Sequence, residues 1–120
     1  MKPSQRVEIN RLNGLNAERI VADRYTRQGF ECVAQRFRTR AGEIDLIFRH
    51  GEKYYFTEVK RANDHDTAMG YLNPYQIERM KNVVCEFLNQ NDLPLETDMR
   101  FDAALVDKYQ RVKVIPNILH

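Results

Sequence analysis

A mixed α/β domain with a central sheet flanked by helices is the architecture to expect from these 120 residues. Three features point to it. One helix-spaced segment opens the chain, three strand-like runs follow between residues 30 and 60, and a capped helix after residue 73 leads into two short strands. The expected order is αβββαββ.

Residues 14–28 place Leu15, Val21, Ala22 and Tyr25 at helical spacing with Ile20 beside them, and Gly29 supplies a C-terminal stop. Residues 30–38 alternate loosely and read as a first strand. Residues 43–49 and 53–60, rich in Ile, Tyr, Phe, Val and Thr, are the arms of a tight hairpin. The stretch 61–72 is polar and poor in apolar residues, and reads as a flexible loop. Asn73 and Pro74 make a good helix start, with Asn as cap and Pro at the first helical position. Ile77, Met80, Val84, Phe87 and Leu88 then form a stripe at three- and four-residue spacing, which suits core packing. Two short strands close the pattern around a turn at residues 107–110.

The chain is expected to be one domain over residues 1–120, large enough to bury a core without staples, with residues 1–13 flexible. Its composition, 42% hydrophobic and 30% charged, is that of an ordinary soluble protein. No apolar run approaches the roughly 20 residues of a membrane span, and the N-terminus lacks the hydrophobic centre of a signal peptide. Cys32 and Cys85 lie far apart without metal-site spacing, so two reduced, largely buried thiols in a cytoplasmic protein are expected. A net charge of +2 neither demands nor forbids a nucleic-acid partner.

The hairpin carries the unusual feature. With Gly51-Glu52 as its turn, Asp45 falls opposite Glu58 and Glu43 opposite Lys60. Glu43, Asp45, Ile47, Phe56, Glu58 and Lys60 then share one face, and Ile44, Leu46, Phe48, Tyr55, Thr57 and Val59 share the core face. Two carboxylates about 5 Å apart repel by about 3 kcal/mol at an effective dielectric near 20. Lys60 can neutralise only one of them. A divalent cation does better, because Mg²⁺ (or Mn²⁺) accepts one or two carboxylates and keeps waters. Asp45 and Glu58 would be its ligands, with the Val59 carbonyl as a third. Lys60 beside such an ion could orient an acidified water against a phosphodiester. The residues alone leave two readings open: this metal-assisted chemistry, or a merely solvated strand face.

Gly42-Glu43-Ile44-Asp45-Leu46-Ile47 followed by Phe56-Thr57-Glu58-Val59-Lys60 closely resembles the signature of the YraN-like family. These are small bacterial proteins regarded as relatives of archaeal Holliday-junction resolvases within the PD-(D/E)XK nuclease superfamily. The resemblance runs from about Gly14 to Val106 and includes Glu18, Gly29-Phe30, Arg38, Arg40 and Arg100-Phe101-Asp102. It implies a restriction-endonuclease-like core and a metal-dependent endonuclease acting on DNA, including branched or damaged DNA. It further implies that Asp45, Glu58 and Lys60 are the catalytic residues and that Glu18 completes a metal site with Asp45 and Glu58. A homodimer would suit such a nuclease. The alternative is a catalytically silent nucleic-acid-binding or scaffold protein with the same fold. The chain departs from the family pattern at Arg36, Ala62 and Gln76, where Asn, Arg and Lys are usual.

Arg36, Arg38 and Arg40 recur at every second residue and, in an extended strand, would form a basic stripe leading to the acids. With Arg61 and Gln76 they are the candidate nucleic-acid contacts. Asp64-His65-Asp66 reads as an exposed loop rather than a metal site, and Asp102 as a structural residue bonding nearby backbone. Tyr71 and Tyr75 are the tyrosines best placed to stack bases.

Overall fold

The computed structural model describes residues 16–119. The N-terminal segment 1–13 and the start of the first helix, Gly14 and Leu15, lie outside the described residues. Helix α1 covers residues 16–27 of the described chain and ends at Gly29, whose φ of +92° suits glycine in the turn that leads to the first strand. Strands β1 (Glu31–Thr39), β2 (Gly42–His50) and β3 (Lys53–Arg61) follow as an antiparallel meander. Helices α2 (His65–Gly70) and α3 (Pro74–Gln90) carry the chain across the sheet to β4 (Met99–Val106), which runs parallel to β3. β5 (Val112–Ile115) returns antiparallel, completing a five-stranded sheet in the order β1-β2-β3-β4-β5.

The architecture is therefore the expected mixed α/β one, with two differences. Residues 65–70, inside the segment read as a loop, form a short helix. The Asp64 side chain caps it by accepting from the Thr67 amide at 2.7 Å, and Ala68 is fully buried against Ala103 and Leu105. A single small apolar residue anchors that helix, which is too little pattern to show in sequence. Cys85 is the second difference: it is exposed, because it lies outside the apolar stripe of α3, whereas Cys32 is half-buried and both are free thiols.

The hairpin register is the one expected, with Phe48 opposite Tyr55 and His50 opposite Lys53 around Gly51-Glu52. The facing needs correction. Both faces of the sheet are covered, not one. Leu46, Phe48 and Tyr55 pack under Val21 and Tyr25 of α1. Ile47 and Phe56, expected on the acidic face, are fully buried with Ile44 beneath Met80, Val83 and Phe87 of α3. A parallel β3–β4 pair requires a crossover, and the crossover helix covers the second face.

Ile44 changes sides because alternation breaks beside it. Gln35 faces Leu46 and Phe37 faces Ile44, while Arg36 between them has φ +52°, the left-handed region that non-glycine residues rarely enter. On the other side, the β2–β3 ladder ends at Leu46 opposite Thr57, so neither Asp45 and Glu58 nor Glu43 and Lys60 pair across it as expected. Asp45 sits just past the end of the β2–β3 ladder, between Ile44 and Leu46, which still pair with β1.

Candidate functional site

That break admits side chains where backbone pairing would otherwise run. The Val59 amide, released from the β2 ladder, donates to Asp45 Oδ2 at 2.8 Å. The Val59 N–H therefore fixes the Asp45 carboxylate directly. Glu58, one residue earlier, is only 3% exposed. Its Oε1 accepts from Gln76 Nε2 at 3.0 Å and lies 3.2 Å from Lys60 Nζ. Lys60 also donates to Gln76 Oε1 at 3.3 Å. Gln76 occupies the first turn of α3, and its amide clamps the carboxylate with one end and the ammonium with the other. The Asn73 cap, accepting from the Tyr75 amide at 2.8 Å, fixes where that turn begins.

The other oxygen of Glu58, Oε2, is buried without a hydrogen-bond partner. Such an atom in a native fold calls for an explanation, since an unpaired buried polar group costs about 1–3 kcal/mol and an ionised one more. Asp45 shares its surroundings. Burial, then the Glu58 charge, push its carboxyl up to about 7, helped by a hydrogen bond that protonated Asp45 shares with Glu58 and opposed by the pull of the Val59 amide. Both carboxylates line a cleft of about 360 Å³ together with Glu43, Gln76 and Arg79.

Glu18 comes near this centre without joining it. It lies on α1, where burial raises its pKa and the charges of Asp45 and Glu43 add to the rise, while a hydrogen bond from Arg36 opposes it. Arg36 Nε holds Glu18 Oε2 at 3.1 Å. Among the described residues no three carboxylate, imidazole or thiol side chains converge as a ready-made metal cage. The centre is a buried glutamate beside a half-buried aspartate, with a third carboxylate held off by arginine.

The basic residues divide similarly. Arg38 binds Glu43 Oε2 through Nε at 3.0 Å and Nη2 at 2.8 Å. Arg36 and Arg38 are therefore engaged by acids of the same site rather than forming a free stripe, and the kink at Arg36 ends the alternation that a stripe requires. Arg40 is exposed, and neither it nor the half-buried Arg61 makes an ion pair among the described residues. Gln76 lies inside the carboxylate cluster. Arg79 is the residue that sequence reading missed: it is exposed, lines the cleft, and falls one helical turn after Gln76.

Asp102 is structural, although its partners are side chains rather than backbone. It is fully buried, accepts from Tyr25 Oη at 2.9 Å, and takes both an Nε and an Nη2 bond from Arg100 at 2.7 and 2.8 Å. His65 Nε2 lies 2.9 Å from the Arg111 carbonyl, away from the cleft.

No helix among the described residues is long and apolar enough to cross a membrane. Comparison with known proteins places the chain by descent. The model of Uncharacterised protein family UPF0102 matches residues 17–106, from α1 through the end of β4. A UPF0102 protein of Ruegeria pomeroyi is 41% identical over 108 residues, covering 90% of this chain and 88% of the relative. One of Cereibacter sphaeroides is 41% identical over 110 residues, covering 92% and 94% respectively. One of Roseobacter denitrificans is 40% identical over 106 residues, covering 88% and 82%. The matched region contains every acid of the cleft, and the chain belongs to the uncharacterised protein family UPF0102.

Proposed function

We propose that this protein is a Mg²⁺- or Mn²⁺-dependent endonuclease with a restriction-endonuclease-like core that hydrolyses phosphodiester bonds in DNA. One observation carries the reading: a buried glutamate with an unsatisfied oxygen, Glu58 Oε2, beside a second, half-buried carboxylate, Asp45, in an open cleft. The donors are hard carboxylate oxygens, which suit Mg²⁺ and Mn²⁺ rather than softer ions. Asp45 and Glu58 would hold the ion, and Glu18 would reach it only on release from Arg36. When bound, such an ion acidifies water and offsets charge developing on phosphate.

Lys60 works from the other side of Glu58. Tied to Glu58 Oε1 and to Gln76 Oε1, its ammonium is held at one place with a hydrogen left to donate. From there it can orient a water or steady a phosphate oxygen. Arg40, Arg61 and Arg79 are the cations available to the DNA backbone, whereas Arg36 and Arg38 would first have to exchange their carboxylates for phosphate.

The test combines calorimetric titration of Mg²⁺ and Mn²⁺ with cleavage of labelled linear and branched DNA. Lys60→Met should cut about 10²- to 10⁴-fold more slowly while still binding metal. A wild-type protein that binds neither ion and cuts neither substrate overturns the proposal. A second reading, a nucleic-acid-binding protein without turnover, draws on the Glu18–Arg36 pair and the incomplete carboxylate set. Under it, Asp45→Asn binds DNA as well as wild type and neither protein cleaves.

A further inference from the structure

A second cationic surface lies away from the acidic cleft. The C-terminal half of α1 and the β4–β5 turn enclose a cavity of about 410 Å³ lined by Arg24, Arg27 and Arg111 and by no acidic residue. Arg24 donates from Nη1 to the Val112 carbonyl at 3.2 Å, and Arg27 from Nε to the Asp23 carbonyl at 3.3 Å. Both guanidinium groups are exposed and neither forms an ion pair among the described residues. Arg111 is different: its Nε is held 2.7 Å from buried Asp107, which fixes the turn. At the turn's tip, Tyr109 is 65% exposed, with Lys108 Nζ 5.2 Å and the Arg111 guanidinium 5.0 Å from its ring centroid. Exposed aromatic surface interleaved with cations is what single-stranded bases and a phosphate backbone require together.

The topology sets the β4–β5 turn at the same end of the sheet as the cleft, whereas α1 covers the face opposite α3 and the cleft. β3 and β4 are parallel, Arg61 faces Val106, and the turn begins at the next residue, Asp107. We propose that Arg24, Arg27, Lys108, Tyr109 and Arg111 form a second nucleic-acid-binding surface, on the face of the sheet opposite α3. The identity of the ligand rests on the nucleic-acid reading above, whereas the surface itself does not depend on cleavage.

The experiment is binding of a fluorescent DNA of about 30 nucleotides, duplex or single-stranded, measured in EDTA across a salt series. Arg24→Ala/Arg27→Ala should bind about tenfold more weakly and lower the slope of log affinity against log salt by about 2. Arg24→Lys/Arg27→Lys should keep the wild-type slope, and its melting temperature checks the fold. Tyr109→Ala should weaken single-stranded binding more than duplex binding. If wild type binds DNA and the alanine pair matches it in affinity and slope, this surface is overturned and the nuclease proposal is untouched. If binding depends on the pair but wild type binds neither Mg²⁺ nor Mn²⁺ and cuts no DNA in their presence, the surface stands and the nuclease proposal falls. Binding to anionic phosphatidylserine vesicles that needs Arg24 and Arg27, with no DNA binding, overturns the surface as a nucleic-acid site.

Discussion

Asp45→Asn offers the sharpest test of the acidic centre, because its effect on stability has an unusual sign. The Asp45 carboxyl is raised from an ordinary 3.8 to about 7, first by burial and then by Glu58. A raised acid contributes stability that is complete below its unfolded pKa and is lost as pH climbs through the folded one. The wild-type protein without metal should therefore weaken between about pH 4 and pH 7. A rise of that size corresponds to about 4 kcal/mol at 1.36 kcal/mol per unit. Glu58 shares the repulsion, so relief on the order of 2 kcal/mol is expected. An asparagine keeps an oxygen for the Val59 amide, which donates at 2.8 Å, and removes the charge. Near pH 8 in EDTA, Asp45→Asn should melt about 8 °C above wild type, and the two should converge only below about pH 4. Mn²⁺ at 100 times its dissociation constant should stabilise wild type by about 2.7 kcal/mol and leave the variant unmoved. Differential scanning calorimetry reads both quantities. A variant that melts at or below wild type at high pH, with a parallel pH profile, refutes the crowded-carboxylate picture.

Further outcomes follow from the same contacts. Gln76→Ala removes the amide that holds Glu58 and Lys60, and should weaken Mn²⁺ binding about 10- to 100-fold by titration calorimetry. Tyr25→Phe leaves buried Asp102 short of one donor and should cost about 1–3 kcal/mol in urea unfolding, without changing metal affinity. Cys85, exposed on α3, should react with a maleimide in the folded protein well before Cys32, whose thiol burial pushes up; equal rates would contradict the burial.

Much of the framework was legible residue by residue. Gly29 ended the first helix, Asn73-Pro74 began another, and Gly51-Glu52 set the register that pairs Phe48 with Tyr55. These are local events, governed by a few consecutive dihedrals and one or two hydrogen bonds, so a single sequence carries them. The Glu58–Lys60 pair was legible for the same reason, since residues two apart on a strand share a side. The expected exposed face failed at Ile47 and Phe56. Alternation separates two faces but does not say which will be covered, and here α3 covers the second. Arg36 gave no sign of its left-handed backbone, so the arginine stripe and the continuous hairpin ladder were both overdrawn.

Arg79, Gln76 and the Tyr25–Asp102–Arg100 network show the remaining limit. Tyr25 and Asp102 are 77 positions apart in the chain, and Glu58 and Gln76 are 18 apart. Their meeting depends on how α1 and α3 lie across the sheet, which is settled by packing of whole faces. Short-range chemistry thus assigned α1 and α3, the hairpin turn and the acidic pair. Only the folded chain could bury Glu58, starve one of its oxygens of a partner and tie Glu18 to an arginine, because burial and long-range contact belong to the assembled core.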